Sequence, residues 1–222
     1  MLDRCTVRRP DQNMLEKALL AFTTFFATIG PLDAAALFPA LTPHNTAPER
    51  RRMARRGCLL GGGILTFFAL VGHEVLAAFG IGLPALRTAG GVLLLLIAID
   101  MVFARPSGGT TTTEDEQAEA ATKQDISVFP LATPLIAGPG AIGAAILLAA
   151  DVRSNPILLA VVIASMLSVV LLTYVLLLAA APVQRLLGVT GLNVVSRIAG
   201  VLLAALAVQF LFDGIRDSGM WR

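Results

Sequence analysis

From Ile157 to Ala181 the chain runs without one charged side chain. A helix of that length spans the roughly 30 Å hydrocarbon core of a bilayer, which takes about 20 apolar residues. Five other stretches read the same way. Span 1 covers about Met14 to Leu41, span 2 about Gly57 to Phe79 and span 3 about Ala85 to Phe103. Span 4 covers about Ile126 to Ala150, Ile157 to Ala181 is span 5, and span 6 covers about Leu192 to Ile215. Backbone polar groups in lipid must be satisfied within helices or in a closed barrel. Barrel strands alternate apolar and polar, whereas these runs are continuously apolar. The expectation is an all-α polytopic membrane protein with six transmembrane helices.

Composition supports this and excludes other classes. Of 222 residues, 56% are hydrophobic and 14% charged, with a mean hydropathy of +0.78. A soluble domain carries roughly 25% charged residues, so a soluble enzyme and a disordered chain are both excluded. The 17 basic and 15 acidic residues give a net charge of +2. That balance leaves no basic face for nucleic acid. Cys5 and Cys58 sit in a polar tail and at a helix start, so no disulfide framework is readable. The segment 1–13 lacks the apolar core and cleavage site of a signal peptide, and insertion is expected through span 1.

The chain divides into a polar tail (1–13), a first three-helix unit (14–104), a linker (105–125), a second three-helix unit (126–217) and a short end (218–222). The linker carries five acids against two bases and almost nothing large and apolar, which reads as flexible. The loop over 43–56 holds Arg50, Arg51, Arg52, Arg55 and Arg56. The positive-inside rule places it in the cytoplasm and both termini outside, in a plasma membrane. Arg4, Arg8, Arg9 and Lys17 argue the other way, but the loop cluster is denser.

The two units resemble each other. Gly30-Pro31 in span 1 matches Gly138-Pro139 in span 4. Arg87-Thr88-Ala89-Gly90 in span 3 matches Arg197-Ile198-Ala199-Gly200 in span 6, at nearly the same offset along the chain. Three spans per unit, an odd number, force the second unit to insert upside down. The expected architecture is therefore a 3+3 inverted repeat, a plan used by many secondary transporters. Proline removes an N–H and clashes with the preceding turn, so spans 1 and 4 are expected to break at Gly-Pro. Each restarted helix presents free N–H groups at its N-terminus, which suit a carboxylate. Carbonyls ending the first half-helices, near Thr28 and Ile136, suit an ammonium group or a cation. Pro130, Thr133, Pro134 and Gly140 thicken the second break and suggest backbone lining a cavity.

The candidate binding residues are thus Thr28, Gly30, Pro31 and Asp33 in span 1, with Thr133, Pro134, Gly138, Pro139 and Gly140 in span 4. Asp33 has two readings, a carboxylate for an ammonium or coupling cation and a helix cap. Arg87, Gly90, Arg197, Gly200 and Gln209 are candidates for structure or gating. For the arginines, pairing with acids or snorkelling weighs more than substrate contact. Gln209 reads as interhelical glue, and Gly61-Gly62-Gly63 as a close-approach surface. Asp100 and Asp213 read as interfacial. His73-Glu74 lacks the second histidine of a zinc helix. No nucleophile–base constellation is present, so no enzyme, metal or cofactor is expected.

Span 4, Pro130-Leu-Ala-Thr-Pro134-Leu-Ile-Ala-Gly138-Pro139-Gly140-Ala-Ile142, resembles the signature of the MarC family of integral membrane proteins. Span 3 from Arg87 to Met101 and span 6 from Arg197 to Ile215 are similar to it as well. The family usually has Asp or Asn before the span 1 proline, glycine two after it and proline five after it. Here those places hold Gly30, Asp33 and Ala36, while Phe38 keeps the aromatic residue. The resemblance implies six spans, kinship with LysE-like exporters, and transport of small neutral amino acids such as alanine or glycine. The expected partners are the bilayer, a small solute and in some arrangements a second copy, with Na⁺ or H⁺ as coupling ion. The rival expectations are a channel through the paired breaks and a scaffold acting through the acidic linker.

Overall fold

A computed structural model describes residues 10–42, 45–103 and 125–219, and every regular element among them is helical. The first unit contains α1 (Pro10–Ile29), α2 (Pro31–Leu41), α3 (Ala47–Ala78) and α4 (Leu83–Phe103). The second contains α5 (Ser127–Ile136), α6 (Pro139–Asp151), α7 (Pro156–Leu178) and α8 (Ala180–Asp217). Five spans are long and apolar enough to cross a membrane, with α1 and α2 counting as one of them. The pair α5–α6, bent by 56°, gives a sixth when taken as a single span. Large apolar side chains such as Phe67, Leu171, Ile198 and Phe212 point outward, as a lipid-facing surface requires.

Several expected boundaries move. Pro10 already opens α1, so 10–13 are helical rather than tail. The arginine segment is not a loop, because α3 begins at Ala47. Thr46 and Glu49 close its first turn, with the Thr46 N–H donating to Glu49 Oε2 at 2.7 Å. Arg50 folds back to donate to the Thr42 carbonyl at 2.7 and 3.1 Å. The expected loop over 182–191 is helical within α8. Pro182 falls in the first turn of α8, where its missing N–H costs no bond. The linker lies outside the described residues apart from Asp125, which accepts from the Ser127 N–H at 2.9 Å and pairs with Arg56 at 3.3 Å.

Two seams organise the bundle. α4 packs antiparallel along α8. A Cβ added to Gly91 would lie 2.8 Å from the Ala207 carbonyl, and one on Gly214 would lie 2.7 Å from the Thr88 nitrogen. Backbones this close need glycine at both places. On the other seam α3 runs beside α5 and α6 on one flank and α7 on the other. Phe25, Leu65, Leu131, Ile136 and Met166 fill the core between them and are fully buried.

Candidate functional site

The chain reverses its helical order at two places. α1 ends at Ile29, and Gly30 adopts φ 60°, ψ 59°, a left-handed conformation that an L side chain rarely takes. α2 restarts at Pro31, whose fixed φ suits a first helical position. Thr28 does not face open space, since its hydroxyl donates to the Thr24 carbonyl at 2.9 Å. Asp33 folds over the start of α2. A Cβ on Gly30 would lie 3.2 Å from Asp33 Oδ2, and the Ser196 hydroxyl of α8 donates to Asp33 Oδ1 at 2.6 Å. The helix N-terminus offered to a solute carboxylate is thus covered by the chain's own acid.

The second interruption is longer than the Gly-Pro pair. Phe129 (φ −131°, ψ 127°) and Thr133 (φ −135°, ψ 126°) are extended, as residues before proline tend to be. The peptide bonds to Pro130 and Pro134 are cis. Hydrogen bonds in α5 reach five residues back, from the Leu131 N–H to the Ile126 carbonyl (3.2 Å) and from the Ala137 N–H to the Ala132 carbonyl (2.9 Å). Thr133 donates to the Val128 carbonyl at 3.2 Å. Regular helix resumes at Pro139, after Gly138 in an extended conformation. Irregular backbone of this kind survives at membrane depth only where protein or a water-lined cavity covers it. Here α3 covers it: Gly57 and Gly61 leave room for Leu131 and Ile136. Gly140 is also filled rather than vacant, because the Ile97 side chain of α4 occupies the place of its missing Cβ.

The two interrupted spans lie against each other. α1 packs on α6 and α2 meets α5, as two antiparallel spans crossing at their breaks would do. Ile29, Ala34, Ile136, Ala137 and Ala141, which flank them, belong to one continuous apolar cluster. The cavity at the first break, between Asp33, Ser196, Ala199 and Met101, measures only about 10 Å³. That is room for one water and for no amino acid.

Space of solute size lies nearer the face where the described chain begins and ends. There Lys17, Arg87, Asp151, Gln209, Asp213 and Asp217 line a cavity of about 460 Å³. Lys17 Nζ contacts Asp151 Oδ2 at 2.5 Å. Arg87 pairs with both Asp151 and Asp217, and Arg153 pairs with Glu74 on the same face. Each of these four pairs joins the first unit to the second. Gln209 has its partner within its own helix, donating to Asp213 Oδ1 at 3.0 Å. Its assignment as interhelical glue is therefore corrected. Arg197, the repeat mate of Arg87, is exposed and makes no ion pair among the described residues. Gly90 and Gly200 are buried, and a Cβ on Gly200 would lie 2.8 Å from Met101 Cβ in α4.

Sequence reasoning misses Ser196, Lys17, Asp151 and Asp217. Asp151 closes α6, although the sequence puts it in a loop. Nothing local marks Ser196, which lies 163 residues from the acid it contacts.

The MarC family of integral membrane proteins matches residues 15–218. A UPF0056 membrane protein of Methanocaldococcus jannaschii is 37% identical, covering 92% of this chain and 98% of its own. UPF0056 membrane proteins of Bacillus subtilis, 35% identical (88% and 92% covered), and of Escherichia coli, 34% identical (88% and 90%), are similar too. No solved structure matches at a significant level. The chain belongs to the MarC family.

Proposed function

We propose that this MarC-family membrane protein is a secondary transporter of small neutral amino acids of the alanine and glycine type. It has six spans in a 3+3 inverted repeat and is not an enzyme. Its site lies where spans 1 and 4 are broken at Gly30-Pro31 and Gly138-Pro139. The observation carrying this reading is the neighbour pattern of the helices. Exchanging the units turns span 1 into 4, 2 into 5 and 3 into 6. Span 1 lies against span 5 (α1 and α2 on α7), and its mirror contact, span 4 against span 2, is also made (α5 and α6 on α3). Span 3 touches span 4 and span 6 touches span 1, while spans 1, 2 and 3 each meet their own mates. The contacts of α7 with α6 and α8 are not matched to the same extent in the first unit, but the rest of the pattern follows the exchange, as an inverted-repeat transporter does by construction.

Asp33 is the acid at the crossing and serves as the ligand for the solute ammonium or for a coupling Na⁺ or H⁺. In this conformation the crossing is closed. The four ion pairs joining the units on the terminal face hold that side shut. Alternating access then opens one face while the other is latched. The orientation follows the arginine segment, with residues 43–56 in the cytoplasm and both termini outside, in the plasma membrane.

The latch gives a direct test. Arg87→Gln removes two ion pairs whose side chains keep 18% to 44% of their exposure. At that exposure the loss is about 1 kcal/mol, roughly fivefold in the closed-to-open ratio. The reporter is Ala199→Cys in a background without Cys5 and Cys58. Adding Arg87→Gln is expected to make it react roughly fivefold faster with an impermeant maleimide from the terminal side. Equal rates with and without Arg87→Gln would remove the latch from the account. Transport itself is tested by solute counterflow in proteoliposomes.

A further inference from the structure

A second cavity, with none of the crossing's residues in its lining, lies in the groove between α3 and α7, with a volume of about 580 Å³. Its walls are apolar, formed by residues such as Leu59, Leu167 and Leu171. Gly62 and Gly63 hollow it out, and a Cβ on Gly63 would touch nothing within 4 Å. The groove follows α3 from Arg55 to Thr66, about 16 Å of helix. The Thr66 hydroxyl at one end donates to the Gly62 carbonyl at 2.7 Å, while the polar groups left without a partner gather at the other. Arg55 lies near the start of α3 and Tyr174 near the end of α7, and the two helices run antiparallel. Neither the Arg55 guanidinium nor the Tyr174 hydroxyl has a hydrogen bond or ion pair among the described residues. Arg51, Arg52 and Arg56 lie exposed at the same end.

We propose that this groove binds one anionic phospholipid, its phosphate on Arg55 and Tyr174 and an acyl chain along Gly62 and Gly63. A long apolar slot with a basic, hydroxyl-bearing mouth at the depth of the headgroups matches that molecule in shape and in charge. Basic pockets between membrane helices hold anionic headgroups for this reason. The half-buried tyrosine suits the interface, where its ring packs on apolar groups and its hydroxyl stays wet. A second copy of the chain fits less well. Two copies inserted the same way would meet isologously and bring both arginine clusters together. Like charges there oppose such a dimer, whereas a phosphate neutralises them.

The test uses the full chain, delipidated in mild detergent and titrated with phosphatidylglycerol or phosphatidylcholine, with bound lipid counted by native mass spectrometry. One phosphatidylglycerol is expected to bind more tightly than phosphatidylcholine. Arg55→Gln should weaken it about fivefold, the contribution of one basic residue near the headgroups. Gly63→Leu fills the slot from a position where an added Cβ meets nothing within 4 Å, and it should weaken binding of both lipids at this site. Equal affinity for the two lipids, or phosphatidylglycerol binding that neither variant changes, overturns the proposal. So does a dimer that Gly63→Leu dissociates while lipid counts stay constant, since the groove would then hold a second copy.

Discussion

Gly214→Val is expected to lower the melting temperature in detergent by roughly 10 °C and to cut the yield of monodisperse protein several-fold. The reason is the α4–α8 seam. A Cβ at Gly214 would stand 2.7 Å from the Thr88 nitrogen and 2.9 Å from the Pro84 carbonyl, both backbone atoms that cannot swing aside. The helices would have to separate along their whole contact. Overpacking of this kind costs about 3 kcal/mol at the upper end of its usual range, and each kcal/mol moves Tm by roughly 2–4 °C in a chain of this size. Gly143→Ala is the control. Its added Cβ meets nothing within 4 Å, so stability should hold or rise slightly. A Gly214→Val protein as stable as its parent would mean that α4 and α8 are not packed at backbone distance.

The second large effect is expected at Asp33. Asp33→Asn keeps a side chain that accepts the Ser196 hydrogen bond and fills the same volume, and it removes only the charge. If Asp33 holds an ammonium group or a coupling cation, the loss is about 2–3 kcal/mol, roughly a hundredfold in transport at low solute concentration. Ser196→Ala leaves the charge and removes its tether, so its effect should be clearly smaller, about fivefold. Neither change should move Tm by more than a few degrees. Transport by Asp33→Asn at the parental rate would leave Asp33 as a cap of α2 and nothing more.

How much of this is legible in the sequence follows from the range of the interactions concerned. The apolar runs are local, and they locate every span, although α3 begins ten residues and α8 twelve residues before the expected starts at Gly57 and Leu192. The Gly30-Pro31 interruption is local too, because φ near 60° and a missing N–H are properties of those two residues. The capping box at Thr46 and Glu49 is also there to be read, as Thr-x-x-Glu before an apolar run. The arginines that follow it mask it by resembling a loop. Pro182 misleads in the opposite way, as it can open a helix as well as end one. At span 4 the density of prolines signals irregular backbone. Its extent depends on the cover that α3 provides through Gly57 and Gly61, a contact between distant parts of the sequence. The latch is the least legible feature. Arg87 meets Asp151 and Asp217 across 64 and 130 residues, and only the fold brings them together.

The central claim is alternating access at the crossing of spans 1 and 4, and counterflow in proteoliposomes tests it most directly. Vesicles carrying the protein are loaded with unlabelled alanine and diluted into labelled alanine, beside a Gly138→Leu control. The account predicts transient accumulation of label above equilibrium for the parent protein and none for the control. Parent protein that is folded and inserted yet never accumulates alanine or glycine, or a control that accumulates as well as the parent, would contradict it.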